Sequence, residues 1–128
     1  MNILLDTHAF LWWIADDARL SDAARDAISD PDNEILVSAA SAWEIAIKVG
    51  IGRLTLPAPA KRFVPRQVQR NGFVALPIQL EHALAVEDLP KHHKDPFDRM
   101  LVAQARAEKL TLITDDPLIQ RYNIETLW

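Results

Sequence analysis

Four carboxylates in this chain stand where short apolar runs stop or helices begin: Asp6, Glu44, Asp98 and Asp116. Asp6 closes Met1-Asn2-Ile3-Leu4-Leu5, a run without alternation that reads as a strand buried on both faces. Leu110-Thr111-Leu112-Ile113-Thr114 repeats the pattern and ends on Asp115 and Asp116. Glu44 and Asp98 fall near the starts of predicted helices. In an open α/β sheet, strand ends and the N-termini of the following helices share one edge, the edge where ligands bind, so the four side chains can converge. Convergent carboxylates repel one another, and at neutral pH a hard cation between them is the expected remedy. With no His or Cys in the set, Mg2+ or Mn2+ fits better than zinc. The chemistry of such a site is phosphodiester hydrolysis, the metal generating hydroxide and stabilising charge on the leaving oxygen.

Each acid except Asp6 also has a structural role open to it. Ser41-Ala42-Trp43-Glu44 matches a capping box, and Glu44 with Lys48 is a favourable i, i+4 pair. Asp95 before Pro96 is a helix N-cap, and Asp98 within the first turn complements the helix dipole. Asp115 or Asp116 can cap a helix opening at Pro117. Asp6 adjoins a low-dielectric interior and shows no partner nearby in sequence.

The elements that must position these groups follow from periodicity. Helices are expected over Thr7 to Ile14, from Ser21 to Asp30, from Ser41 to Gly50 or Gly52, from Pro59 to Arg70 with Pro65 as a kink or break, from Leu80 to Val86, from Asp95 to Lys109 and at Pro117 to Tyr122. Strands are expected at Ile35-Leu36-Val37, Gly72 to Pro77, Thr111 to Thr114 and Ile124 to Leu127, besides the first. Short strands separated by helices predict a three-layer α/β fold with a parallel sheet. At 128 residues and 49% hydrophobic, residues 1–128 are expected to be a single domain. No apolar run is long enough for a membrane span and no secretory leader opens the chain, so a cytoplasmic protein without membrane contact is expected. The absence of cysteine excludes disulfides and thiolate chemistry. A net charge of -4 excludes nucleic-acid binding by bulk charge and leaves local basic patches or metal ions.

Lys91-His92-His93-Lys94 followed by Arg99 is the basic cluster adjacent to a site acid, readable as a phosphate contact or as a solvated loop. Lys61, Arg62, Arg66 and Arg70 form a second basic face that could guide a nucleic acid or simply dissolve a surface. Trp12, Trp13 and Trp43 are divided between core packing and a partner contact, and His8 next to the site reads as a satisfied core or cap histidine.

Leu4-Leu5-Asp6-Thr7-His8, Val37 through Lys48, Asp95 through Ala105, and Leu112-Ile113-Thr114-Asp115-Asp116 together resemble the PIN-domain family, specifically VapC-type toxins of toxin-antitoxin pairs. The resemblance extends from residue 3 to the C-terminus. It implies a Mg2+- or Mn2+-dependent endoribonuclease with an RNA substrate, a cognate antitoxin protein, a homodimer and a twisted parallel sheet of about five strands flanked by helices. It places the family's acids on Asp6, Glu44, Asp98 and Asp116, the last preferred over Asp115 because it stands two residues after Thr114. Thr7 and Thr114 are hydroxyl groups that could orient carboxylates or bound water, or could cap and turn the chain. Two rival classes remain. A non-catalytic PIN-like binding domain would usually have lost an acid, and all four are present. An aspartyl-phosphate phosphotransferase of the haloacid-dehalogenase type wants a second Asp where this chain has His8.

Overall fold

A computed structural model describes residues 1–128. Five strands, β1 (Asn2–Leu5), β2 (Glu34–Ser38), β3 (Val74–Leu76), β4 (Thr111–Ile113) and β5 (Thr126–Leu127), form one sheet in the order β3-β2-β1-β4-β5. Every neighbouring pair is parallel. Six α-helices connect and flank them: α1 (Thr7–Ala15), α2 (Asp22–Ser29), α3 (Ala39–Gly50), α4 (Ala60–Arg70), α5 (Leu80–Ala85) and α6 (Pro96–Glu108). The α/β architecture with a five-stranded parallel sheet agrees with expectation.

From β1 the chain moves outward to β2 and β3, then returns past β1 to add β4 and β5 on the other side. That reversal makes a switch point between β1 and β4, with a crevice outside their carboxyl ends. Leu5 pairs with Ile113, and the Asp6 N–H donates to the Ile113 carbonyl at 3.1 Å, so Asp6 and Thr114 leave the sheet side by side.

Ile3, Leu4 and Leu5 have no exposed surface. Successive strand side chains point to opposite faces. Ile3 and Leu5 therefore join one core with Phe10, Ala24, Ile45 and Val64, while Leu4 joins a second with Leu36, Leu101, Val102 and Leu112. Helices cover both faces of β1, which is why its sequence does not alternate. A polar clamp closes the β3 side. Gln104 of α6 accepts the Ser38 hydroxyl and donates to the Pro77 carbonyl at 3.2 Å. Fully buried His82 accepts the Gln79 N–H at 3.0 Å through Nδ1 and meets Glu108 at 2.8 Å through Nε2.

Several boundaries differ from expectation. Helix α3 begins at Ala39, not Ser41, because Ser38, the last residue of β2, is itself the N-cap and accepts the Ala40 N–H at 2.9 Å. Helix α4 passes Pro65 unbroken. The carbonyl orphaned by that proline belongs to Lys61, which is exposed to water like Pro65 itself. The expected helix at Pro117 to Tyr122 is one 3-10 turn, Ile119–Arg121, and the last strand shrinks to two residues. No helix is long and apolar enough to cross a membrane.

Because Leu4 is fully buried between layers, Leu4→Ala is expected to destabilise the fold by about 2–5 kcal/mol, read as a lowered urea midpoint at unchanged m-value.

Candidate active site

Asp6 leaves β1 directly into α1, and its Oδ1 accepts the Ala9 N–H at 2.7 Å as the helix N-cap. The expectation of an Asp6 without a local partner is thus corrected, since a helix starting immediately after the strand supplies one. The side chain is 4% exposed. Burial raises its pKa above the ordinary carboxylate value, while the Thr114 hydroxyl and the Ala9 N–H act in the opposite direction.

Glu44 sits in the second turn of α3 and is also buried. Its Oε2 accepts from Lys48 Nζ at 2.6 Å, the i, i+4 pair read from sequence. Its Oε1 is buried without a hydrogen-bond partner. The capping box does not form. Ser41 lies inside the helix, where its hydroxyl accepts from Thr7 Oγ1 at 2.9 Å and ties the first turns of α1 and α3 together. Thr7 therefore positions helices rather than orienting a carboxylate directly.

Asp98 lies in the first turn of α6, below the N-cap Asp95, whose Oδ1 accepts from the Phe97 and Asp98 N–H groups at 2.8 and 3.1 Å. His93 Nε2 stands 3.0 Å from Asp98 Oδ2 and 3.0 Å from Asp116 Oδ2. The Asp95 N–H donates to His93 Nδ1 at 3.2 Å, which leaves the ring proton on Nε2, between the two carboxylates. Asp116 is further fixed by its N–H to Thr114 Oγ1 at 3.1 Å and by its Oδ1 accepting the Leu118 N–H at 2.8 Å. Asp115 is exposed.

The Asp98 pKa is pushed up to about 7, first by burial, then by the charge of Asp95, with Glu44 and Asp6 adding to the rise and His93 opposing it. Asp6 thus ends β1 beside Thr114. Glu44 and Asp6 stand close enough to Asp98 for their charges to act on it, and His93 links Asp98 to Asp116. The structure adds His93, whose signal was its place two residues before the N-cap Asp95.

The rest of the basic cluster is used otherwise. Arg99 donates to the Pro90 and Val86 carbonyls at 2.9 and 3.1 Å and to the Tyr122 hydroxyl at 3.0 Å, so it shapes the loop before α6 and is not free for a phosphate. His92 packs edge-on against Tyr122 at 5.0 Å, and Lys91 and Lys94 are exposed. Lys61, Arg62, Arg66 and Arg70 are exposed on α4. His8 stacks on Trp12 at 5.4 Å, and Trp13 Nε1 donates to Asn71 at 3.1 Å. Trp43, 59% exposed, meets Phe97 edge-on at 5.0 Å.

An open parallel α/β sheet with an acidic crevice at its switch point defines the class of this protein, and comparison with known proteins narrows it. The profile of the PIN domain matches residues 3–125, and the chain belongs to that family. It is 32% identical over 115 residues to ribonuclease VapC22 of Mycobacterium tuberculosis, an alignment covering 90% of this chain and 87% of the relative. It is 45% identical over 56 residues to ribonuclease VapC16 of the same organism, which covers 44% of this chain and 38% of that protein. The fold matches VapBC2 from Rickettsia felis bound to a promoter DNA fragment, with a TM-score of 0.73 at 15% identity over 99% of this chain and 98% of that one. DNA-bound VapBC from Salmonella typhimurium matches with a TM-score of 0.72 at 15% identity, over 99% and 97% of the two chains.

A carboxyl whose folded pKa lies above its unfolded one binds more protons in the folded state, so stability falls as pH rises between the two values. For Asp98 that window runs from 3.8 to about 7. In EDTA, Asp98→Asn is expected to gain stability over the parent as pH rises through this window and to flatten the decline, as measured by thermal midpoints across pH.

Proposed function

We propose that this chain is a Mg2+- or Mn2+-dependent endoribonuclease and the toxin of a toxin-antitoxin pair, with Asp6, Glu44, Asp98 and Asp116 as metal and catalytic residues. The observation that carries this reading is the buried, unpartnered Glu44 Oε1 in the field of other carboxylates. An unmet buried acceptor is costly, and a set of hard oxygen donors matches a divalent cation. The ribonuclease relatives support the RNA chemistry.

A bound divalent ion supplies hydroxide at neutral pH and offsets charge on the leaving oxygen. The chain's own residues hold the donor set in place. The Ala9 N–H and Thr114 fix Asp6. Lys48 holds Glu44 Oε2 and leaves Oε1 buried without a partner. His93 Nε2–H keeps Asp98 and Asp116 together against their repulsion. A proton on Asp98, favoured by burial, would compete with a cation there, so metal affinity is expected to rise with pH.

A cognate antitoxin protein and a homodimer complete the reading. The VapBC complexes that share the fold support a protein partner. An apolar stripe along the exposed face of α3 supports self-association: Trp43 is 59%, Ile47 39% and Ile51, just past the helix, 61% exposed, with Ala39, Ala46 and Gly50 between them. Light scattering is expected to report a dimer and Ile47→Glu a monomer; a monomeric parent at all concentrations would refute the dimer.

The catalytic test is cleavage of single-stranded RNA. Activity is expected with Mg2+ or Mn2+ and none in EDTA. Asp6→Asn should remain folded, since Asn caps a helix as well as Asp, yet lose cleavage. Glu44→Gln should lose roughly a hundredfold or more, the scale of removing one preorganised electrostatic group from a catalytic site, because the charge that would help hold the cation is gone. Cutting by Glu44→Gln at the parental rate would sink the four-carboxylate assignment.

A further inference from the structure

Beside the acidic crevice lies a cavity of about 340 Å³ lined by residues of α1, the turn after it, α3 and the loop that follows. Its wall includes Thr7, the neighbour of Asp6, and Lys48, the partner of Glu44, so it adjoins the acids directly. Three cations, Arg19, Lys48 and Arg53, line it against one acid, Asp17. Asp17 is spent on Arg19, whose Nε and Nη2 reach its two oxygens at 3.1 and 2.7 Å. Lys48 gives Glu44 one of its three donors. Arg53 belongs to none of the chain's ion pairs. The surplus in the cavity is positive in a chain whose net charge is -4.

The aromatic wall does not offer a free stacking surface. Trp12 already carries His8 at 5.4 Å and the Arg19 guanidinium at 4.9 Å. What remains for a ligand is a set of charged donors on one side of a cavity otherwise lined by apolar side chains such as Leu11, Ile45 and Leu54, and such donors suit a phosphate. A polyanion brought to a cluster of carboxylates also needs a local positive anchor close by, because the protein as a whole repels it.

We propose that this cavity binds a phosphodiester group of single-stranded RNA adjoining the one that is cut, with Arg53 and Lys48 as its donors. The inference rests on the endoribonuclease reading above. Arg53 is exposed and outside the core, so its replacement leaves the fold intact, which an unchanged thermal midpoint verifies.

The test uses a fluorescein-labelled, mixed-sequence single-stranded RNA, the Asp6→Asn protein to prevent cleavage, and anisotropy across a range of KCl in Mg2+. Neutralising one single-strand phosphate contributes about 0.7 to the slope of log K against log salt, or about fivefold in affinity at 0.1 M. Arg53→Gln is expected to lose about that much in both, and Arg53→Lys to retain most of it. Arg106→Gln, a charge removed from a different cavity, should change affinity less than Arg53→Gln does. An Arg53→Gln protein with parental affinity and slope overturns the subsite while leaving the nuclease reading intact. RNA binding unchanged while binding of an acidic peptide weakens assigns the cavity to a protein partner and overturns it equally. A parent that neither binds nor cuts RNA removes both readings together.

Discussion

Repulsion among carboxylates that the topology forces together is the constraint on which the rest of the site depends. The switch point places the ends of β1 and β4 side by side, and Glu44 on α3 stands close enough to Asp98 on α6 for its charge to act there. Each negative charge then needs a separate restraint. A helix N-terminus restrains Asp6, Lys48 restrains one oxygen of Glu44, and a single imidazole N–H spans Asp98 and Asp116. The restraint is incomplete, as the raised proton affinity of Asp98 and the bare oxygen of Glu44 show.

The structural cost is met in the two cores and in polar contacts that tie the helices to the sheet and to one another. Ser38 ends a strand, caps a helix and reaches Gln104 at once, so β2, α3 and α6 share one small residue. Thr7 and Ser41 join α1 to α3 in the same manner. Arg99 does for the loop before α6 what a short strand would do elsewhere, satisfying carbonyls that no ladder reaches. Since His93 lies in that loop, Arg99 governs the acids through geometry rather than through charge.

Strands β1 and β4 and the acids beyond them were legible because burial on both faces leaves an unmistakable signature, an unbroken apolar run stopped by a charge. The start of α3 was less legible. Ser38 and Ser41 are both good caps by composition, and only the register of β2 decides between them. Of the kink or break expected at Pro65, the break does not occur, because the residue whose carbonyl is orphaned is exposed to water, which spacing alone does not reveal. His93 and Arg99 were grouped by proximity in sequence as one basic patch, yet a loop turn sends one to the acids and the other to the backbone. The Gln104 clamp left no trace, since it joins residues 66 positions apart through side chains of ordinary type.

The two outer strands are three and two residues long. Such short edges offer few free backbone groups to an incoming strand, and one-residue slips there would gain little. A protein that holds an apolar helix face open to solvent is exposed to promiscuous sticking on that side. Its sheet margins are cut too short to add fibre-like growth to that hazard, so whatever association the molecule undergoes is steered toward side-chain surfaces, where shape can choose the partner.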